Sequence, residues 1–165
     1  DAVDFDFSTG SVDNFFVSNI GGDGLDFSGS TFDLSEISCD KVKDKCISAG
    51  ESSIININNL LASETGVGIA SKDGSKVVVK DVNFSEITLK PFMAYNKKPI
   101  FEGARLDITD EFEKNYDAIS QYGSSIYYNN QKVEPVDINI TELYSDSIMK
   151  KWNLIILLKL KIELR

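Results

Sequence analysis

Apolar side chains recur every 22 to 23 residues over most of this chain, and few folds can hold such a register. The inward positions form three columns in step: Val12, Leu34, Ile57 and Val79; Phe15, Ile37, Leu60 and Val82; Val17, Cys39, Ala62 and Phe84. A repeat of about 20 to 50 residues is the signature of a solenoid, in which each turn buries its apolar face against its neighbours. The spacing therefore predicts a coil that stacks like side chains along one axis.

Short alternations of apolar and polar residues fill each repeat, most clearly at residues 53–58 and 76–84. Such alternation is typical of β-strands rather than helices. Gly, Ser, Asp and Asn separate the strands in register, and these residues permit tight corners. We expect three short strands in each turn. The predicted fold is all-β, a right-handed single-stranded parallel β-helix of about six turns of roughly 22 residues.

An antiparallel β-sandwich is the alternative, because it also shows many short strands spaced by about 8 to 12 residues. A sandwich has no reason to keep three apolar columns in step, whereas a coil of fixed perimeter must do so. Left-handed coils built on hexapeptides have a shorter turn, which favours the right-handed form.

The repeats are predicted to cover residues 1–136, and residues 137–165 are predicted to form a C-terminal extension or cap. Within the extension, residues 147–157 have a helical pattern and residues 158–164 alternate like a strand. The chain opens inside a strand of the repeat, so we expect preceding turns and a larger parent protein.

Composition excludes several classes of function. The formal net charge is −9 and the pI is about 4.5, so the chain would repel a phosphate backbone and nucleic acid is not an expected partner. The absence of histidine removes the commonest general base and metal ligand. No apolar run approaches the length of a membrane span. We expect no cofactor, no metal site and no membrane span.

Two cysteines are too few for a disulfide scaffold. Cys39 lies in an inward column, which is the ordinary position of a buried free thiol. Cys46 lies in a column with Gly24 and Gly68, where small size satisfies the site. We expect free thiols, with a single bridge as the alternative.

Residues 22–30 and 66–77 resemble the right-handed β-helix repeat modules of large bacterial surface and secreted proteins, some of which accompany CotH-type spore-coat kinases. Residues 94–99 resemble a terminal rung of such modules, and the resemblance covers about residues 1–135. It implies a pectin lyase-like fold and an extracellular or cell-surface location in a bacterium. It also implies polysaccharides or other domains of the parent protein as partners. It names no reaction, because lyases, hydrolases and noncatalytic modules share the fold.

The repeat also predicts which side chains face outward. If Val3, Leu25, Ile47, Ile69, Phe92 and Ile119 point inward, the residues after them point outward: Asp4, Asp26, Ser48, Ala70, Met93 and Ser120. Two residues further on, the outward column is Asp6, Ser28, Gly50, Lys72, Tyr95 and Tyr122. The predicted binding face therefore carries Asp4, Asp6, Asp26, Lys72, Tyr95 and Tyr122. Carboxylates can accept hydrogen bonds from sugar hydroxyls, and aromatic rings can pack on sugar faces.

Asp4 and Asp26 should stack about 5 Å apart, the separation of a retaining glycosidase pair and close enough for a bridging cation. The simpler interpretation is that solvated aspartates keep the coil soluble. A lyase would need a basic residue near the acids. Lys72 and Arg105 are the nearest candidates, but we expect neither beside Asp4 or Asp26, because Lys72 lies at least two turns away. We therefore predict no catalytic residues.

An insertion at residues 95–103 lengthens the fifth turn and places Lys97 and Lys98 on an acidic protein. Insertions of this kind often carry function, although a corner adjustment explains the length equally well. The expected function is a noncatalytic module that presents an elongated face to glycans or proteins. The alternative is a fragment of a polysaccharide lyase or glycoside hydrolase whose site needs further turns.

Overall fold

A computed structural model describes residues 1–109 and 116–142 and shows the predicted parallel β-solenoid. Each turn contributes one strand to each of two sheets, which face each other across the core. Sheet A consists of β1 (Val3–Asp6), β3 (Leu25–Ser28), β5 (Lys45–Gly50), β7 (Val67–Lys72), β9 (Lys90–Tyr95) and β11 (Ala118–Ser120). Sheet B consists of β2 (Thr9–Ile20), β4 (Thr31–Val42), β6 (Ile54–Ser63), β8 (Lys76–Ser85), β10 (Arg105–Ile108), β12 (Ser125–Tyr128) and β13 (Gln131–Lys132).

The predicted columns are confirmed as hydrogen-bonded ladders. Val12 pairs with Leu34, Leu34 with Ile57, and Ile57 with Val79, all in parallel register. The other two columns keep the same register, and their central members are almost fully buried. A strand of one turn lies about 4.8 Å from its counterpart in the next, so the apolar side chains of each column cover one another.

The prediction of three short strands in each turn is wrong for sheet B, because two of them merge into one long strand. The long strands bend where the register skips a residue, at Asp13, Ser35, Asn58 and Lys80. In β4 the inward side chains are Leu34 and then Ile37, so two outward residues follow one another at the bend. The strand therefore continues through the corner. In the sequence, the interrupted alternation at this point looks like the end of one strand and the start of another.

From β1 to β11 the coil makes about five complete turns, against the predicted six, and the parallel stacking ends where the chain reverses after β12. Strand β13 pairs antiparallel with β12 through a hairpin at Asn129 and Asn130. Both asparagines have positive φ, 46° and 64°, as a type I′ turn requires. Asparagine tolerates this backbone region better than most residues. The hairpin ends the parallel stacking.

A ladder of buried serines forms one corner of the coil. The backbone N–H of Ser8 donates to Ser30 Oγ, that of Ser30 donates to Ser53 Oγ, and that of Ser53 donates to Ser75 Oγ, at 3.0 to 3.1 Å. Each hydroxyl thus satisfies a corner amide of the preceding turn, which would otherwise be buried without a partner. This role explains why serine recurs in register among the breakers.

Cys39 and Cys46 form a disulfide with a Cα–Cα distance of 5.7 Å, so the expectation of free thiols is wrong. The corner before β5 brings Cys46 into the core beside Cys39, where a Cβ on Gly24 would lie 3.2 Å from Cys39 Sγ. Closing a loop of this length removes denatured-state entropy equivalent to roughly 2.5 kcal/mol of stability.

Among residues 1–109 and 116–142, no helix is long and apolar enough to cross a membrane. The predicted helix at residues 147–157 and the predicted strand at residues 158–164 lie outside the described residues.

Adjacent leucines in β6 test the inward register. Leu60 is fully buried, whereas Leu61 is 48% exposed on the outer face of sheet B. Leu60→Ala should lower the free energy of unfolding by about 2–5 kcal/mol, because it leaves a cavity between the sheets. Leu61→Ala should change it by about 0.5 kcal/mol or less. Urea unfolding followed by circular dichroism measures both, and equal losses would contradict the register.

Candidate functional site

The outer face of sheet A carries the side chains that the sequence singled out. Asp4 pairs with Asp26 in adjacent turns, and Asp26 pairs with Ser48. Asp6 is exposed on the first turn and pairs with Ser28. The structure therefore places Asp4, Asp6 and Asp26 on one outer face.

The register of the last turn was predicted one residue out of step. Strand β11 pairs Ala118 with Phe92, Ile119 with Met93 and Ser120 with Ala94. Ala118 is therefore the inward residue, Ile119 lies on the outer face, and Ser120 points into the core with no exposed surface. The connection before β11 differs in length from those of the earlier turns, so counting residues along the chain could not give the register of β11.

Tyr95 lies on the outer face but is only 2% exposed, so the prediction that it offers an aromatic surface is wrong. It belongs to an apolar cluster with Val67, Ala70 and Met93. Residues 137–141, which we call the C-terminal segment, cover this cluster, with Ile140 packed against it. The half of sheet A nearest the hairpin is thus a second, external core rather than a free surface.

Tyr122 is 66% exposed but does not continue the Lys72 and Tyr95 column. The register that pairs Ser120 with Ala94 places Gln121 opposite Tyr95 instead. The structure therefore does not bring Tyr122 into one row with Tyr95, and an amide occupies the predicted aromatic position.

Lys72 lies beside Asp26, contrary to the expectation that the two are too far apart. The Lys72 Nζ atom is 3.8 Å from Asp26 Oδ1, although two turns separate their backbones by about 10 Å. Gly50 lies in the intervening turn, where a Cβ would be 3.5 Å from Lys72 Cε. Because glycine has no side chain, the lysine stem can lie across that turn and reach the carboxylate.

Burial lowers the pKa of the Lys72 ammonium below its ordinary value. The Asp26 carboxylate opposes this shift, while the nearby Lys45 ammonium adds to it. The side chain of Lys72 is 16% exposed, so much of its hydration is lost. A lysine in this state is a better proton acceptor at neutral pH than a solvated lysine.

Carboxylate oxygens of Asp1, Asp4 and Asp26 lie within 4.8 Å of one another, and we call these residues the acidic trio. In the described part of the chain these are the side chains grouped closely enough to hold a metal ion. Oxygen ligands of this kind suit calcium. The Lys72 ammonium already lies near Asp26 and supplies positive charge there.

A groove of about 720 Å³ lies between sheet A and the C-terminal segment. The side of the sheet contributes Asp44, Lys45, Lys72, Tyr95, Asn96, Lys97 and Gln121, and the other side is formed by residues 137–141. Its size falls within the range of small-ligand sites, about 300–1,000 Å³. Most of the lining residues are charged or carry an amide, although the exposed lining surface is about half apolar.

The insertion at residues 95–103 is held rigidly at the rim of this groove. Asp73 Oδ1 accepts hydrogen bonds from the backbone N–H groups of Lys97 and Lys98, at 2.6 and 2.7 Å. Lys98 also pairs with Glu51. Lys97 is exposed and lines the groove, so the insertion does more than adjust a corner.

Gln121 joins the sheet to the C-terminal segment. Its Oε1 atom accepts a hydrogen bond from the Asn96 backbone N–H at 2.8 Å, and its Nε2 donates to the Ile138 carbonyl at 3.3 Å. The Gln121 side-chain amide and the Asn96 backbone amide therefore have fixed positions at the base of the groove. Asn96 falls within the insertion that the sequence marked, whereas no sequence signal marked Gln121 or Asp44, since the turns that bring them together differ in length.

Buried polar atoms without a hydrogen-bond partner concentrate on this face. Among the described residues there are six such side-chain atoms, and four belong to Asp26, Asp44, Ser48 and Asn96. Ser48 has no exposed surface and lies directly next to Asp26 in the ladder. Such atoms are rare in folded proteins and often mark functional positions.

Comparisons of this chain with protein-family models, with curated proteins and with solved structures give no match. Function is therefore inferred from the geometry of this face.

Titration of Lys72 tests its contact with Asp26. Asp26→Asn should lower the Lys72 pKa further, because it removes the negative charge that favours the ammonium form. NMR of isotopically labelled lysine side chains would follow the change. Asp33→Asn on the outer face of sheet B is the control and should leave the Lys72 pKa unchanged. An unchanged pKa in Asp26→Asn would show that the two groups are not in contact.

Proposed function

We propose that this chain is a noncatalytic β-solenoid module of a bacterial surface or secreted protein, and that it binds glycans in the groove on sheet A. The observation that carries the proposal is the groove itself, about 720 Å³ in volume and lined by fixed amides and ammonium groups. Sugar ligands present many hydroxyl groups and require a dense set of polar partners.

The lining offers both kinds of hydrogen-bonding group. The ammonium groups of Lys72 and Lys97 can donate to sugar hydroxyls or carboxylates, and Asn96 Oδ1 has no hydrogen-bond partner among the described residues. Asp44 and Asp137 add acceptors. Strands or a hydrogen-bonded loop hold the backbones of Lys72, Asn96 and Lys97, so little backbone entropy is lost at these residues when a ligand binds.

The two tyrosines do not contribute stacking surfaces in the way the sequence suggested. The Tyr95 ring is occupied by the apolar cluster, and Tyr122 lies outside the row. Polar contacts must therefore provide most of the affinity. We expect weak binding to single sugars and tighter binding to chains that extend along the coil toward the acidic trio.

The disulfide supports the proposed location. Bonds between cysteines persist in oxidising compartments such as the bacterial periplasm and the cell exterior. The Cys39–Cys46 bridge is buried in the core, where it stabilises the turns that carry Lys45 and Ser48.

Glycan binding can be measured by affinity electrophoresis in gels that contain neutral or acidic polysaccharides, followed by calorimetry with oligosaccharides. Lys72→Met should weaken binding roughly tenfold or more, because it removes a charged hydrogen-bond donor from the groove. Lys76→Met, on the exposed face of sheet B, is the matched control and should bind normally. No retention by any polysaccharide, or equal loss in both variants, would refute the proposal.

A second candidate function has one observation in its favour. The lowered pKa of Lys72 and the acidic trio lie together, and this combination suits the removal of a proton next to a sugar carboxylate. The chain would then belong to a polysaccharide lyase, with Lys72 as the base. Lyase action leaves an unsaturated sugar, whereas simple binding leaves the polysaccharide unchanged.

Ultraviolet absorbance of unsaturated products would reveal lyase activity on uronate polysaccharides. The rate should rise with pH through the Lys72 pKa, because only the neutral amine accepts a proton. Lys72→Met should abolish the activity and Lys76→Met should retain it. Binding of the polysaccharide without product at any pH would leave the noncatalytic module as the function.

A further inference from the structure

A buried lysine and two aspartates lie at the corner where β5 begins, and two of them, Lys45 and Asp44, also line the groove. Lys45 lies one turn after Asp23, and its Nζ atom is 2.9 Å from Asp23 Oδ1. Its Nζ is also 2.6 Å from Asp44 Oδ2. The side chains of Lys45 and Asp23 are only 8% and 7% exposed. Asp44, at 36% exposure, connects the pair to the solvent.

Hydrogen bonds between successive turns hold Lys45 and Asp23 in place. The Lys45 backbone N–H donates to Asp23 Oδ1 at 2.9 Å, and the Asp23 backbone N–H donates to Asp1 Oδ1 at 2.7 Å. Val67, in the following turn, is fully buried and pairs with Lys45. The carboxyl of Asp23 is therefore fixed against the amine, with an apolar side chain on the far side of the lysine.

Burial favours the protonated, uncharged form of the Asp23 carboxyl. Desolvation raises the pKa of the Asp23 carboxyl, and the neighbouring Asp44 carboxylate raises it further, while the Lys45 ammonium opposes both. A proton that moves from Lys45 to Asp23 gives a neutral amine beside a neutral carboxylic acid. These are the two species that condense to an amide, whereas an ammonium and a carboxylate do not.

We propose that Lys45 and Asp23 join through an isopeptide bond between Nζ and Cγ, with Asp44 moving the protons. The cross-link would tie the second turn of the coil to the third without any enzyme. This inference does not rest on glycan binding and stands or falls by itself.

The reaction balances as a simple condensation. The neutral Lys45 amine attacks Cγ of the protonated Asp23 carboxyl and forms a tetrahedral carbon. Asp44 Oδ2 takes a proton from the nitrogen and passes it to the departing hydroxyl. The Cγ–O bond breaks, one water leaves, and an amide remains. No oxidant, reductant or cofactor takes part, and Asp44 ends in the protonation state in which it began.

Water at its bulk concentration normally opposes condensation of an acid with an amine. Groups held in reactive contact, however, can reach effective molarities of about 10⁵–10⁸ M. The lost water enters the solvent, while the amide stays buried where water has little access. The product also replaces a buried ion pair, whose desolvation is costly, with a neutral group.

The test is the mass of the intact protein after reduction of the Cys39–Cys46 disulfide under denaturing conditions. The purified chain should weigh less than its sequence by one water molecule. Tryptic digestion should leave Lys45 uncut and give a branched peptide that joins the segment containing Asp23 to the segment containing Lys45. Tandem mass spectrometry would locate the bond.

Three variants separate the cross-link from an ordinary ion pair. Lys45→Arg keeps the charge and the fold but has no nucleophilic amine, so it should show the full sequence mass. Asp23→Asn should lose ammonia instead of water. Asp44→Asn leaves the reacting pair intact and should slow the reaction at least tenfold when refolded protein is sampled over time.

Full sequence mass in the native chain, together with tryptic cleavage after Lys45, would overturn the proposal and leave a buried ion pair. Loss of water in Lys45→Arg would place the condensation elsewhere and overturn it too. Rapid loss of water in Asp44→Asn would overturn the role of Asp44 as the proton carrier.

Discussion

Every feature of this molecule depends on parallel backbone pairing between turns of nearly constant length. The ladder repeats at 22 to 23 residues from β2 to β8, so each position meets its own counterpart in the next turn. Stacking of the turns brings the apolar columns together as the core. It also aligns the serines that form corner hydrogen bonds and places Asp4 next to Asp26. A change in turn length at one place would displace all three kinds of contact together.

The sequence was sufficient to predict the inward columns, because burial imposes the same requirement on every turn. It predicted the outer position of Asp4, Asp6 and Asp26 for the same reason. It was insufficient where turn length changes, so Ile119 and Tyr122 were placed one residue out of step. It also could not show that residues beyond the repeats return to cover Tyr95 and Met93, since no periodicity links those segments.

Side-chain reach and corner geometry account for the remaining differences. The contact between Lys72 and Asp26 needs a flexible side chain that crosses the turn between them, whereas an inference from columns alone considers only adjacent turns. The disulfide needs two consecutive inward residues at the corner before Ile47, which breaks the alternation expected of a strand. The Lys72 contact lies on the charged half of sheet A, where the candidate functions are concentrated, and the disulfide lies in the core.

The Lys72 side chain reaches Asp26 across the turn that contains Gly50, so this contact requires a single complete turn between the two residues. Duplication or loss of a complete coil outside residues 26–72 would leave the Asp26 and Lys72 contact intact, because the intervening wall is unchanged. A coil gained or lost inside that interval would change the distance between the two groups by about 4.8 Å, and the Lys72 side chain would no longer fit that distance. Related chains that retain the pair should therefore gain or lose complete coils only outside residues 26–72.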